Sequence, residues 1–156
     1  MIINKDEIED LTLKNEAELD GIAKKILIDY YDDLPEFTLS FVTPETIRNL
    51  NQSYRNVDSV TDVLSFSSGG ETDPETGKEY LGDIIICLDR ASFQAGQSGH
   101  PVENEICLLL IHGLLHLLGY DHTTDEEHEE MWKLQNQYLD ECNIVLNRRP
   151  GEDFDY

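Results

Sequence analysis

Apolar residues recur three and four positions apart between residues 14 and 31, at Leu19, Ile22, Ala23, Ile26, Leu27 and Tyr30. That spacing predicts an amphipathic helix. Phe37, Leu39 and Phe41 alternate with Thr38 and Ser40, the period of a strand with one buried face. Thr43 then offers an N-cap hydroxyl, Pro44 a preset first helical φ and Glu45 a first-turn acid. A second helix follows, carrying Ile47, Leu50 and Tyr54. Val63 to Phe66 is a short strand, and Ser67 to Glu79, rich in Gly, Asp, Glu and Pro, reads as a mobile polar loop.

The strongest strand is Leu81 to Leu88. Its apolar run Ile84-Ile85-Ile86-Cys87-Leu88 does not alternate, which implies cover on both faces and a central place in a sheet. Asp89 can cap a short helix to about residue 97. Pro101 opens another that runs to about Leu118, with Glu103 and Glu105 near the positive end of its macrodipole. Its later turns are apolar nearly all round, as in a buried central helix. Gly119 stops it, and an acidic helix over 124 to 141 turns Met131, Leu134, Tyr138 and Leu139 inward. This order of elements suggests one α+β domain with a small, partly parallel sheet packed against helices. No repeat or linker interrupts residues 1–156.

At 156 residues, 39% hydrophobic and 28% charged, the chain fits a soluble globule. Thirty-three acids against eleven bases give a formal net charge of -22 and a pI of about 4.2. This argues against an unspecific DNA coater or a membrane-surface binder, since phosphate affinity comes mainly from lysine and arginine. The first ten residues, Met1 to Asp10, lack the apolar core of a signal peptide. The richest apolar stretch, Cys107 to Leu118, is broken by His112, Gly113 and His116 and falls short of the roughly 20 residues that span a bilayer. Three cysteines, Cys87, Cys107 and Cys142, form no C-x-x-C pair. Cys87 and Cys107 read as buried inert thiols, and a reducing cytoplasm is the natural compartment.

Four of the five histidines lie beyond residue 111, three of them in His112-Gly-Leu-Leu-His116-Leu-Leu-Gly119-Tyr-Asp-His122. On a helix His112 and His116 project from one face, and a left-handed Gly119 lets the chain return His122 to the same point. One buried histidine is ordinarily a hydrogen-bonded core residue. Two side by side need partners for four ring nitrogens, which a shared cation answers. Three imidazoles with no fourth ligand in the motif indicate zinc with an open position, the catalytic arrangement. His128 lies in an acidic run and reads as a solvated helix-face residue, and His100 as loop. The spacing H-x-x-x-H-x-x-G-x-x-H is that of metzincin proteases, but Gly113 stands where they carry the catalytic glutamate. Peptide hydrolysis is thereby disfavoured, unless Asp121 or another acid substitutes. A phosphodiester remains open to the same chemistry.

Arg148 and Arg149 sit in the C-terminal tail, leaving Arg48, Arg55 and Arg90 in the body. Arg55, before Thr61-Asp62-Val63-Leu64-Ser65-Phe66, is suited to holding a phosphate, or alternatively to a surface salt bridge with Asp58 or Asp62. Asp62 is either a strand-end turn residue or an acceptor for a ligand imidazole.

These residues resemble the YbeY family of rRNA maturation endoribonucleases. His112 to His122 matches its H-G-x-L-H-L-x-G-Y-D-H signature, while Tyr54-Arg55, Thr61 to Phe66 and Leu81-Gly82-Asp83-Ile84 resemble further signatures. The likeness covers about residues 40 to 140. One departure is Ser67, where the family usually has proline, which bears on the neighbouring loop. The fold expected is a mixed four-stranded sheet packed against about five helices, with a metal site at the end of a buried central helix.

The resemblance implies a zinc-dependent, single-strand-specific endoribonuclease acting in 16S rRNA 3'-end maturation and late 70S ribosome quality control. His112, His116 and His122 are its implied zinc ligands and Arg55 its catalytic arginine. Nickel, copper or cobalt can occupy the same imidazoles. The implied partners are single-stranded rRNA, the small ribosomal subunit and ribosomal or assembly proteins, with no membrane or DNA. The high negative charge hints that ribosomal particles position the substrate. A metalloprotease and a non-catalytic assembly factor with structural zinc are the competing expectations.

Overall fold

The computed structural model describes residues 1–8, 13 and 15–147; Arg148 and Arg149 lie outside them. The elements run β1 (Ile2–Asn4), α1 (Glu16–Leu27), β2 (Glu36–Val42), α2 (Pro44–Arg55), β3 (Val63–Ser67), β4 (Tyr80–Cys87), α3 (Leu88–Ser98), α4 (Val102–Leu117) and α5 (Asp125–Glu141). The sheet order is β1-β2-β4-β3. β1 and β4 each pair with β2 in parallel, while β3 pairs with β4 antiparallel. The architecture is α+β with a mixed four-stranded sheet and five helices, as expected.

Thr43 caps α2 as its sequence predicts, its hydroxyl accepting from the Thr46 amide at 3.3 Å. Asn56, left-handed at φ 58°, then ends the helix directly after Arg55. Ile47 of α2 seals one sheet face together with Val42, Leu64 and Cys87. The other face carries the main core, where α1 and α4 meet Phe37, Leu39, Phe41, Ile84 and Ile86. α4 is the buried central helix. Every residue from Glu105 to Leu115 is buried along it.

Three local expectations change, and one element went unread. β2 has cover on both faces from Leu39 onward, because the α2 cluster closes over Val42 on one face while α1 and α4 cover Leu39 and Phe41 on the other. α3 starts at Leu88 with Cys87 as N-cap, so Asp89 sits in its first turn instead of capping it. The segment from Ser67 to Glu79 is tied back as an extension of the β3–β4 hairpin. Thr72 bridges Glu79, and the Asp73 amide donates to the Lys78 carbonyl at 2.7 Å. β1, three residues on the sheet edge, left no periodicity to read.

Candidate metal centre

α4 places His112 and His116 one turn apart on the same side. The helix then closes in a Schellman motif: the Gly119 amide donates to the His116 carbonyl and the Tyr120 amide to the Leu115 carbonyl, both at 3.0 Å. Gly119 takes φ 103°, the backbone that a side chain would strain. The turn carries His122 back over the helix end, and the ligand atoms of all three histidines lie within 4.8 Å of one another.

The outward nitrogens fix the direction of the inward ones. His116 Nδ1 lies 3.0 Å from the Tyr120 carbonyl, an acceptor only, so this nitrogen carries the proton. His112 Nδ1 lies 2.8 Å from Gln135 Oε1 and donates to it. Both Nε2 atoms therefore direct lone pairs inward, and they face each other at 3.0 Å. Burial, then the neighbouring His116, holds the His112 pKa well below that of an ordinary histidine; burial, then His122, lowers that of His116. Neutral rings with opposed lone pairs are poorly matched to one another and well matched to a cation between them. Two nitrogens about 2.0–2.1 Å from one tetrahedral ion stand roughly 3.3–3.4 Å apart, close to the spacing found. The donor set fits zinc or a similar divalent ion. Among the described residues the group is these three histidines, and His128 instead stacks on Trp132 at 4.1 Å between ring centroids.

The histidines open on a cleft of about 830 Å³ that is also lined by Tyr54, Arg55, Asp62, Arg90 and Asp121. Arg55 Nη2 donates to the Ser65 carbonyl at 2.7 Å, and its guanidinium lies 5.2 Å from the Phe66 ring centroid. Neither carboxylate proposed for it from sequence is its partner, because Arg48 takes Asp58 at 2.7 Å. Asp62 is buried and accepts from the Val63 amide at 2.8 Å and Gln94 Nε2 at 3.2 Å, not from a ligand imidazole. Burial raises its pKa to about 6. Position 113 faces the sheet: a Cβ there would lie 2.7 Å from Ile84 Cγ2. A metzincin-like glutamate at this position would be driven into the core, away from the cleft.

Two supports escaped the sequence. Gln135 and Trp132 of α5 flank the histidines, with the Trp132 ring 5.6 Å from His112 and 5.5 Å from His122. Their helical spacing on α5 is visible, but nothing in it names their partner. His100 is in a loop as expected, yet buried: its Nε2 meets Glu105 Oε2 at 2.7 Å and its Nδ1 accepts from the Asn147 amide at 3.2 Å. Glu105 is thus a first-turn acid of α4, as expected, and a buried one. Cys87 and Cys107 are buried, with thiol pKa values raised by burial.

An α+β fold that brings three imidazoles to the rim of a cleft defines a protein with a site that could hold a metal ion within reach of a substrate. The family described as Endoribonuclease YbeY matches residues 2–143. The chain is 47% identical over 122 residues to Endoribonuclease YbeY of Clostridioides difficile, covering 76% of this chain and 80% of that one. It is 43% identical over 145 residues to Endoribonuclease YbeY of Bacillus velezensis, covering 89% and 86%. The solution structure of TM1509 from Thermotoga maritima is similar with a TM-score of 0.57 at 27% identity, covering 90% of this chain and 89% of that one. The chain belongs to the YbeY endoribonuclease family. Among the described residues no helix is long and apolar enough to cross a membrane.

Proposed function

We propose that this chain is a zinc-dependent, single-strand-specific endoribonuclease, one domain over residues 1–156. Its proposed work is the maturation of the 16S rRNA 3' end and late 70S ribosome quality control in the cytoplasm, with ribosomal or assembly proteins as partners. The observation that carries this is the convergence of three imidazoles on a cleft that Arg55 also lines. His112, His116 and His122 are the proposed zinc ligands. A divalent ion held there supplies Lewis acidity and acidifies a water for attack on a phosphodiester.

The protein's own groups do the rest. Gln135 and the Tyr120 carbonyl hold the His112 and His116 rings in the tautomer that presents Nε2. Arg55 spends one donor on Ser65 and keeps others for phosphoryl oxygens, so its position is set before substrate arrives. Gly113 puts no carboxylate at the position where metzincins carry the acid that protonates the leaving amine, which disfavours a peptidase. His116→Ala should lose both zinc and cleavage of single-stranded RNA, and Arg55→Glu should keep zinc and lose cleavage. Cutting by the His116 variant at the wild-type rate in metal-free buffer would overturn the proposal. The ribosomal role is checked by depleting the protein in cells, where 3'-extended 16S precursor should accumulate.

A further inference from the structure

We propose that Arg90 and Phe93, in the first turns of α3, form a second nucleotide subsite beside the metal centre. It takes the phosphate and base of a nucleotide flanking the cleaved link in single-stranded RNA. The inference rests on the endoribonuclease reading and adds positioning residues to it.

Three described arginines occupy the body of the chain, and only Arg48 has a carboxylate partner, Asp58. In a protein with three acids for every base, Arg55 and Arg90 are the exceptions, and both line the same cleft. Each is set against an aromatic ring instead. Arg55 lies 5.2 Å from the centroid of Phe66, which itself meets the exposed Tyr54 edge-on, and Arg90 lies 5.6 Å from that of Phe93. Phe93 is 55% exposed on an otherwise polar helix surface. The turn that carries it is anchored, since Gln94, four residues after Arg90, donates to the buried Asp62 at 3.2 Å. Two guanidiniums thus reach one cleft from separate elements, the end of α2 and the start of α3, and Arg90 carries the exposed Phe93 ring beside it, outside the cleft lining.

This combination matches single-stranded nucleic acid. A guanidinium binds phosphate oxygens, and an exposed ring stacks any unpaired base without reading its sequence. Bases in a duplex keep their faces against each other and cannot reach Phe93, so the subsite also favours single strands. Arg55 is placed to act on the reacting phosphate beside the histidines, while Arg90 holds a neighbouring one.

The test uses the full-length zinc enzyme and a short labelled oligouridylate, comparing wild type with Arg90→Ala, Arg90→Lys and Phe93→Ala at matched zinc content. Arg90→Ala should raise KM about tenfold with kcat changed less than about twofold. It should also reduce the slope of log Kd against log salt by about 0.7, the value for one phosphate on a single strand. Arg90→Lys should restore the slope. Phe93→Ala should raise KM about tenfold and leave the slope alone. Wild-type KM and salt slope in Arg90→Ala, with wild-type cleavage intact, would overturn the subsite alone. A wild-type zinc enzyme that binds the oligonucleotide without cutting it would instead overturn the endoribonuclease reading.

Discussion

Gly113 shows how tightly the metal helix is fitted to the sheet, and Gly113→Ala measures it. The added Cβ would lie 2.7 Å from Ile84 Cγ2 and 3.1 Å from both Cγ1 and Cδ1. Carbon atoms pack comfortably at about 3.5–4.0 Å, so the nearest contact is short by roughly 1 Å. Ile84 is fully buried on the central strand β4 and is β-branched, with little rotamer freedom to retreat. Overpacking of this kind costs about 1–3 kcal/mol. Against it stands roughly 1 kcal/mol of helix propensity gained on replacing glycine with alanine. Because the clash is with an immobile side chain, the cost should win, leaving Gly113→Ala destabilised by up to about 2 kcal/mol.

Ile84→Ala removes all three atoms in the clash and should itself cost about 2–5 kcal/mol. In that background the alanine at 113 meets open space and only the propensity gain remains. Gly113→Ala should then stabilise by about 1 kcal/mol, a coupling of roughly 1–3 kcal/mol between the two positions. Urea unfolding of the four proteins, followed by circular dichroism and by the fluorescence of the sole tryptophan, Trp132, gives the cycle. Free zinc is held constant throughout, because a ligand of the native state shifts every midpoint. An equal effect of Gly113→Ala in both backgrounds would refute the packing explanation.

Gln135→Leu removes the acceptor for His112 Nδ1 and should weaken zinc binding about 10–100-fold in chelator competition, whereas Gln135→Glu keeps an acceptor and should retain affinity. Unchanged affinity in the leucine variant would show that Gln135 does not orient the ring. Asp62 has a native pKa near 6 against an ordinary 3.8, so the folded state holds its proton more tightly than the unfolded chain. Its contribution is complete below about pH 4 and is lost as pH rises through 6, up to about 3 kcal/mol. Asp62→Asn mimics the protonated group, so its stability relative to wild type should grow between pH 4 and 7; a constant difference across that range would contradict the raised pKa.

What could be read from sequence is what local spacing determines. His112, His116 and Gly119 sit at offsets set by helix geometry and its termination, so their convergence with His122 followed from a stretch of eleven residues. The helical stripe of α1 and the unbroken apolar run of β4 were legible for the same reason: burial on one face or both leaves its period in the chain. β1 is three residues long and pairs with Ile2 opposite Thr38, a contact that no local pattern announces. Gln135 is polar in a helix whose burial pattern otherwise reads as apolar, and Leu134, expected inward, is only half-buried beside it. Only the position of His112 on another helix explains why an amide belongs there. Glu105 lies in the first turn of α4 as its sequence predicts, but the buried His100 that donates to it comes from the preceding loop, a contact no local pattern announces. The chemistry of the three histidines was thus visible locally, whereas the groups that orient them come from α5 and from a backbone carbonyl. Those groups decide which nitrogen faces the space between the rings, so the tautomer belongs to the fold and not to the motif.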